Sequence, residues 1–319
     1  MVTPTRRKDR IDALAASTLP SESRESTEDS GVSLAASAWR RLRRNPVFLV
    51  GAAIIVLFVV GAILSPWLAP HDPGERMLAD QVVKARNEIP PPQPGHPLGG
   101  DDQGRDLLSR LIVGSQQTLL VGMCATLLGL AGGLILGTLA GALAGWTDSL
   151  VMRGVDVMLS IPSILLAVTI AALFPRPGLY TVIIAVSLVQ VPVFARLLRG
   201  SMLSQRASDH VLAAKALGVK RKAIVFRHML PNSLGPVIVQ STLVLALAII
   251  DAAALSFLGL GNPDDRRPEW GQMLASAQVY FDTHPHLAFW PAICIIVIAL
   301  GFTLVGESLR DALDPKNRR

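Results

Sequence analysis

The sequence predicts an all-α integral membrane protein with six transmembrane helices, and three observations carry that prediction. Half of the 319 residues are hydrophobic and only 17% are charged, against about 25% charged in soluble domains. The apolar residues gather into windows long enough to cross about 30 Å of hydrocarbon as a helix, which takes roughly 20 residues. The charges lie between those windows, with the basic ones collected beside alternate span ends. The net charge of +6 therefore reads as a topology determinant. No basic patch is interleaved with exposed aromatics, so no nucleic-acid partner is expected.

Residues 1–38 are rich in Ser, Thr, Glu, Asp and Arg and lack an apolar period, which predicts a disordered cytoplasmic tail. Arg6, Arg7 and Lys8 are followed by no apolar region, so no cleavable signal peptide is read. Arg40, Arg41, Arg43 and Arg44 precede a first span over about 47–68, which Pro66, Pro70 and Pro73 are expected to end. Residues 39–110 thus group as the first span plus an extracytoplasmic segment. The run IPPPQPGHP at 89–97 must be extended, because proline cannot continue a helix.

A membrane core is expected over 111–310. Its second span, about 118–144, carries Gly129, Gly133, Gly137, Gly141 and Gly145. At 3.6 residues per turn these make a seam without side chains, where another helix can approach closely. Asp148, Arg153 and Asp156 predict an inner loop before a third span at about 157–174, with Pro162 near its start. The fourth, fifth and sixth spans are placed at about 179–197, 234–258 and 287–305, and residues 311–319 form a cytoplasmic tail. Cys124 and Cys294 each lie in an apolar run without metal-ligand spacing and read as free buried cysteines.

Between the fourth and fifth spans, within a loop over 197–231, runs DHVLAAKALGVKRKAIVFRHMLP, from Asp209 to Pro231. From Arg196 to Leu230 there are eight Lys or Arg and one acid, Asp209, whereas His71 to Arg110 holds five basic residues and seven acids. That asymmetry places both termini and this loop in the cytoplasm. Ala213, Ala214 and Ala216 favour a helix, Gly218 allows a turn, and 220–229 can form a second helix that Pro231 interrupts. Ile224, Phe226 and Leu230 supply apolar anchors. The loop reads either as a docking surface for a partner or as a membrane-surface helix whose lysines meet lipid phosphates.

The loop resembles that of the inner-membrane permease subunits of binding-protein-dependent ABC importers. Their pattern E-A-A-x-x-x-G, followed after some nine residues by I-x-L-P, is matched by L-A-A-K-A-L-G at Leu212 to Gly218 and by H-M-L-P at His228 to Pro231. HPLGGDDQGRDLLSRLIVGSQQTLLVG (His96 to Gly122), LSFLGLGNPDDRRPEWGQML (Leu255 to Leu274), LRDALDP (Leu309 to Pro315) and WRRLRRNP resemble the C-type permease of the dipeptide/oligopeptide/nickel branch. The resemblance covers about residue 39 to the end. It implies a type I ABC importer permease core with an extra N-terminal span. The implied partners are a homologous second permease, two ATPase subunits and an extracytoplasmic solute-binding protein, besides membrane lipid. Leu212, Ala213, Ala214, Gly218, Phe226, Leu230 and Pro231 become the ATPase-coupling residues. Leu212 stands where the family has glutamate, so the implied contact lacks that charge, and Asp209 is placed to reach from the preceding turn.

No G-x-x-x-x-G-K-[ST], H-E-x-x-H or G-x-S-x-G pattern occurs, so no catalytic residue, metal site or cofactor is expected on this chain, and ATP and Mg belong to the partner subunits. Asp251 is the one acid well inside a span. Its burial as a charge is costly, at roughly 2.5–3.5 kcal/mol, so it is expected to line the substrate pathway or to bond a neighbouring helix. The pair in Thr283-His284-Pro285-His286 reads as loop residues, and Trp270 and Trp290 read as interface anchors. The leading reading is an ABC permease for di- or oligopeptides. The competing readings are a nickel or other small-solute permease, a proton-coupled transporter using Asp251, and a membrane adaptor.

Overall fold

The computed structural model describes residues 34–83, 88–143, 145–264 and 266–313. The predicted tail lies outside them as far as residue 33, as does the end of the C-terminal tail from residue 314. Helix α1 (Leu34–Leu42) begins inside the stretch expected to be tail, buries Ala38 and Leu42, and packs against the last helix of the chain. Among the described residues there are only helices and three isolated β-bridges. Five helices are long and apolar enough to cross a bilayer, and one pair bent by 98° brings the count to six when it is taken as a single broken span.

Helix α2 (Pro46–Leu68) starts where the Asn45 side chain accepts from the N–H groups of Val47 and Phe48 and Pro46 fills the first turn, a standard N-terminal arrangement. Pro66 does not end it. A proline leaves the carbonyl four residues earlier without its helical partner; here the Ala62 carbonyl accepts instead from Ser65 Oγ at 2.9 Å and from Gln116 Nε2 at 2.7 Å. The helix therefore runs to Leu68.

Helix α3 (Leu107–Leu143) has 37 residues and begins eleven residues before the predicted second span. The reason is Asp106, whose Oδ2 accepts from the N–H and Oγ of Ser109 at 2.8 and 2.6 Å, capping the N–H groups that a helix start leaves unpaired. Along α3 the glycine seam meets α6 (Leu179–Arg206). A Cβ on Gly137 would lie 2.8 Å from the Ala195 carbonyl, one on Gly129 2.9 Å from that of Ser187, and one on Gly141 2.9 Å from the Met202 Cβ. Gly133 is the tightest, against the Phe194 Cβ. Gly145 departs from the seam: it has φ +68° with open space around it and makes the turn into α4.

The third span is not one helix. α4 (Trp146–Ser160) and α5 (Ser163–Ala172) meet at 98°. Pro162 breaks the chain because it donates no N–H and drives the preceding residue out of helical geometry, and Ile161 is extended at φ −94°, ψ 132°. Asp148, Arg153 and Asp156 are consequently helical residues of α4 and not loop residues. Asp148 receives both Nε and Nη2 of Arg199 on α6 at 2.5 and 2.7 Å, and Asp156 pairs with Arg196 at 2.5 Å.

Helix α7 (Asp209–Ala216) leads through Gly218 into α8, continuous over Arg221–Phe257. Pro231 does not interrupt this helix either. Residues Ile224–Met229 form a π-helical stretch in which the Leu230 N–H reaches the Val225 carbonyl, and this local widening carries the helix past the proline. α9 (Trp270–Ala277) and α10 (His286–Leu313) complete the fold. The described residues of 69–83 and 88–106, those of 258–264 and 266–269, and α9 gather as a cap around the start of α3, away from α7.

Candidate coupling site, substrate pathway and distal cap

The site is built on the turn at Gly218. Its N–H bonds the Lys215 carbonyl and that of Val219 bonds Ala214, the paired closure of a helix C-terminus that requires a left-handed residue. Gly218 supplies it at φ +73°. α7 then presents two faces. Val211 and Ala214 are buried against Ile224, Val225 and Met229 and against Phe194, Leu198 and Met202 of α6. The other face, with Asp209, Leu212 and Ala213, is exposed, and so are Gly218, Phe226 and Pro231, while Leu230 is half-buried.

Two expectations change here. Ala214 and Ile224 point into the protein and hold α7 down, so neither is a surface for a partner. Leu217, which the motif comparison passed over, is the most exposed apolar side chain of the site at 83%, with Phe226 at 60%. Arg221 was also missed. Its Nη2 donates to the Ala142 and Leu143 carbonyls at 2.5 and 2.9 Å, so a cation caps the C-terminus of α3 and ties the turn to the helix that carries the glycine seam. Nothing in the local sequence distinguishes it from Lys220 or Lys222.

Asp251 lies half-buried on α8 beside Ala252 and Ala253, with no hydrogen bond or ion pair to a described residue. Cys124 and Cys294 are half-buried, not fully buried as expected.

The distal cap holds most of the buried charge. Asp101 Oδ2 receives Arg105 Nε at 2.7 Å and lies 3.1 Å from Arg110 Nε, while Arg110 Nη1 donates to the Pro73 carbonyl at 2.8 Å. Burial, with Asp101 next to it, pushes the Asp102 carboxyl up. Asp106 meets a burial cost too, but donation from Ser109 and His96 outweighs it and holds its carboxyl below the ordinary value. The rings of His71 and His96 stack at 4.4 Å, with His96 Nδ1 2.9 Å and His71 Nδ1 3.8 Å from the Asp106 carboxylate. This His–His–Asp group is the one arrangement of donors suited to a metal among the described residues. His96 and Asp106 lie ten residues apart in one stretch, and the fold adds His71 from the chain that follows α2.

Trp270 also departs from expectation. It is 1% exposed, its Nε1 donates to the Leu111 carbonyl at 2.9 Å, its ring meets Phe58 edge-on at 5.7 Å, and it lies over Gly114. It is thus a core residue that docks α9 onto α3, and not an interface anchor. Beside it, burial raises the Glu269 carboxyl to about 7, against a single opposing hydrogen bond from Ser256 Oγ at 2.7 Å. Because Glu269 takes up its proton more readily folded than unfolded, its stabilising contribution is complete below pH 4.5 and is lost as pH rises to about 7. The parent chain should accordingly lose melting temperature across that window, and Glu269→Gln should lose less; equal slopes in a thermal-melt series would refute this.

Comparison with known proteins agrees with this architecture. The family described as "Binding-protein-dependent transport system inner membrane component" matches residues 133–319, and "N-terminal TM domain of oligopeptide transport permease C" matches 33–91. The dipeptide transport system permease protein DppC of Alkalihalophilus pseudofirmus is 41% identical over 279 residues, 88% of this chain and 89% of that protein. The di/tripeptide transport system permease protein DppC of Pseudomonas aeruginosa is 40% identical over 278 residues, 87% of this chain and 91% of that protein. In fold, the MetNI methionine ABC transporter in an inward-facing conformation aligns with a TM-score of 0.55 at 20% identity, over 65% of this chain and 98% of that one.

Proposed function

Because the chain belongs to the binding-protein-dependent transport system inner membrane components, the permease subunits of ABC importers, we propose that it forms half of the translocation pathway for di- or oligopeptides. It is a multi-pass inner-membrane subunit. Peptide, and not nickel or a proton-coupled solute, is supported by relatives whose names specify dipeptides and di/tripeptides. ATP with Mg is hydrolysed on two separate ATPase subunits. A homologous second permease completes the pathway, and an extracytoplasmic solute-binding protein delivers to it. Both termini and the α7–α8 turn lie in the cytoplasm, with the distal cap on the other side. The N-terminal span and its 69–106 segment are an addition to a core over 111–310.

The observation that carries the reading is the two-faced α7. Its inner face is fixed to α6 and, through Arg221, to α3, while Leu212, Leu217 and Phe226 stand outward beside Gly218. An ATPase surface docked on that outer face would move α7 and α8 as one body. Both nucleotide states would then bias the bundle between outward- and inward-facing arrangements. Contact at the family's glutamate position is apolar here, through Leu212, with exposed Asp209 one turn earlier. Asp251 lines the pathway and meets a cationic group of the passing peptide.

Gly218→Trp in the reconstituted transporter tests the reading. A φ of +73° strains any residue with a Cβ by about 1–2 kcal/mol, and the indole would occupy the docking face. ATP-dependent peptide uptake should disappear. Uptake that continues without ATP and collapses with the proton gradient would overturn the proposal.

A further inference from the structure

We propose that His71, His96 and Asp106 form a binding site for one divalent transition-metal cation of the borderline class, such as Zn(II). The three come from the chain just after α2, from a tight turn at 93–96 within the run expected to be extended, where Gln93 and His96 bond each other's backbone and Gly95 has φ +89°, and from the cap of α3; one donor atom of each lies within 4.8 Å of the others. Two imidazole nitrogens and a carboxylate oxygen are the donor types such a cation takes, leaving a fourth position for water or a carrier group. Tetrahedral ligands at about 2.1 Å stand about 3.4 Å apart. His96 Nδ1 stands 2.9 Å from Asp106 Oδ1 and His71 Nδ1 stands 3.8 Å from Oδ2, one on each side of that value, so a small rotation of the carboxylate would bring one oxygen to both.

Two further features favour an ion over a hydrogen-bonded cluster. His71 Nδ1 is shielded from solvent yet has no hydrogen-bond partner, which is costly for a buried polar atom. A cation between the rings and the carboxylate would satisfy it while keeping both stacked imidazoles neutral. The carboxylate is also held from behind. Ser109 donates its N–H and hydroxyl to Asp106 Oδ2, and the Ser109 oxygen accepts the His71 backbone N–H at 3.0 Å. Ligands oriented by such outer contacts are the rule at metal sites. The ion would clamp the chain after α2 and the 93–96 turn to the start of α3. This inference stands on the cap alone and is independent of the transport reading.

The test uses the tag-free full-length chain in detergent, stripped with chelator, reloaded with Zn(II) and dialysed. One equivalent should be retained, Co(II) in its place should give visible d–d bands, and Zn(II) should raise the melting temperature. His71→Gln leaves the Asp106 cap of α3 intact and should weaken Zn(II) at least tenfold while the metal-free protein keeps its helical circular dichroism. Asp106→Asn should do the same if it folds. His284→Gln with His286→Gln should leave binding unchanged. Substoichiometric Zn(II), or a site lost with the His284/His286 pair and retained in His71→Gln, overturns the proposal.

Discussion

Leu217→Asp combined with Phe226→Asp should abolish ATP-driven uptake while leaving the permease folded. Both side chains are largely exposed in the isolated chain, so replacing them removes no core contact and thermal melting should hardly change. On a docked ATPase they would be the principal buried apolar groups from this loop. Burying a Leu or Phe contributes about 2 kcal/mol, so losing both takes about 4 kcal/mol, or about a thousandfold in affinity, before the cost of desolvating two carboxylates. Co-purification of the ATPase with the permease is the direct readout. Uptake at the parent rate with the ATPase still bound would mean that the partner does not dock here.

Gly133→Leu should prevent the bundle from forming at all. A Cβ at this position already collides with the Phe194 Cβ and would lie 3.0 Å from the Val191 carbonyl. Overpacking commonly costs about 1–3 kcal/mol when side chains can shift. Here main-chain atoms of α6 stand opposite, so relief requires the two helices to part. Between helices in a membrane such close packing is a principal source of association, and the variant should be recovered as aggregate in size-exclusion chromatography. Gly154→Leu on α4 is the control, since a Cβ there meets nothing within 4 Å. A monodisperse Gly133→Leu protein would show that the seam is dispensable.

What the sequence made legible was whatever repeats or is local. The glycine period located the α3–α6 contact without any knowledge of the partner, and the motif at Leu212 to Gly218 located the turn whose φ proves positive. Prolines were harder, because their effect depends on who takes over the freed carbonyl. Pro66 is absorbed because Gln116, far along the chain, donates to Ala62; Pro231 is absorbed by a π-helical stretch. Pro162 breaks its helix. The three look alike as local sequence. Trp270 and the His71–His96–Asp106 group were misread or unread for a related reason. A tryptophan after a polar loop suggests an interface, and only the approach of Gly114 and Leu111 makes it a core residue.

The π-helical stretch of α8 has a consequence for how the chain can vary. One extra residue in regular α winding offsets everything beyond it by about 100°, and a π-helical turn absorbs such a residue by widening. The azimuth of Phe226 relative to Asp251 is therefore set by an inserted count as well as by side-chain identity. A single deletion within residues 224–229 that restored ordinary winding would therefore keep the two flanks of the stretch in their present relation, whereas a deletion in the regular helix between Leu230 and Asp251 would turn one flank against the other by about 100°. In this helix the relation between Phe226 and Asp251 is an angle, and it is held by one surplus peptide unit.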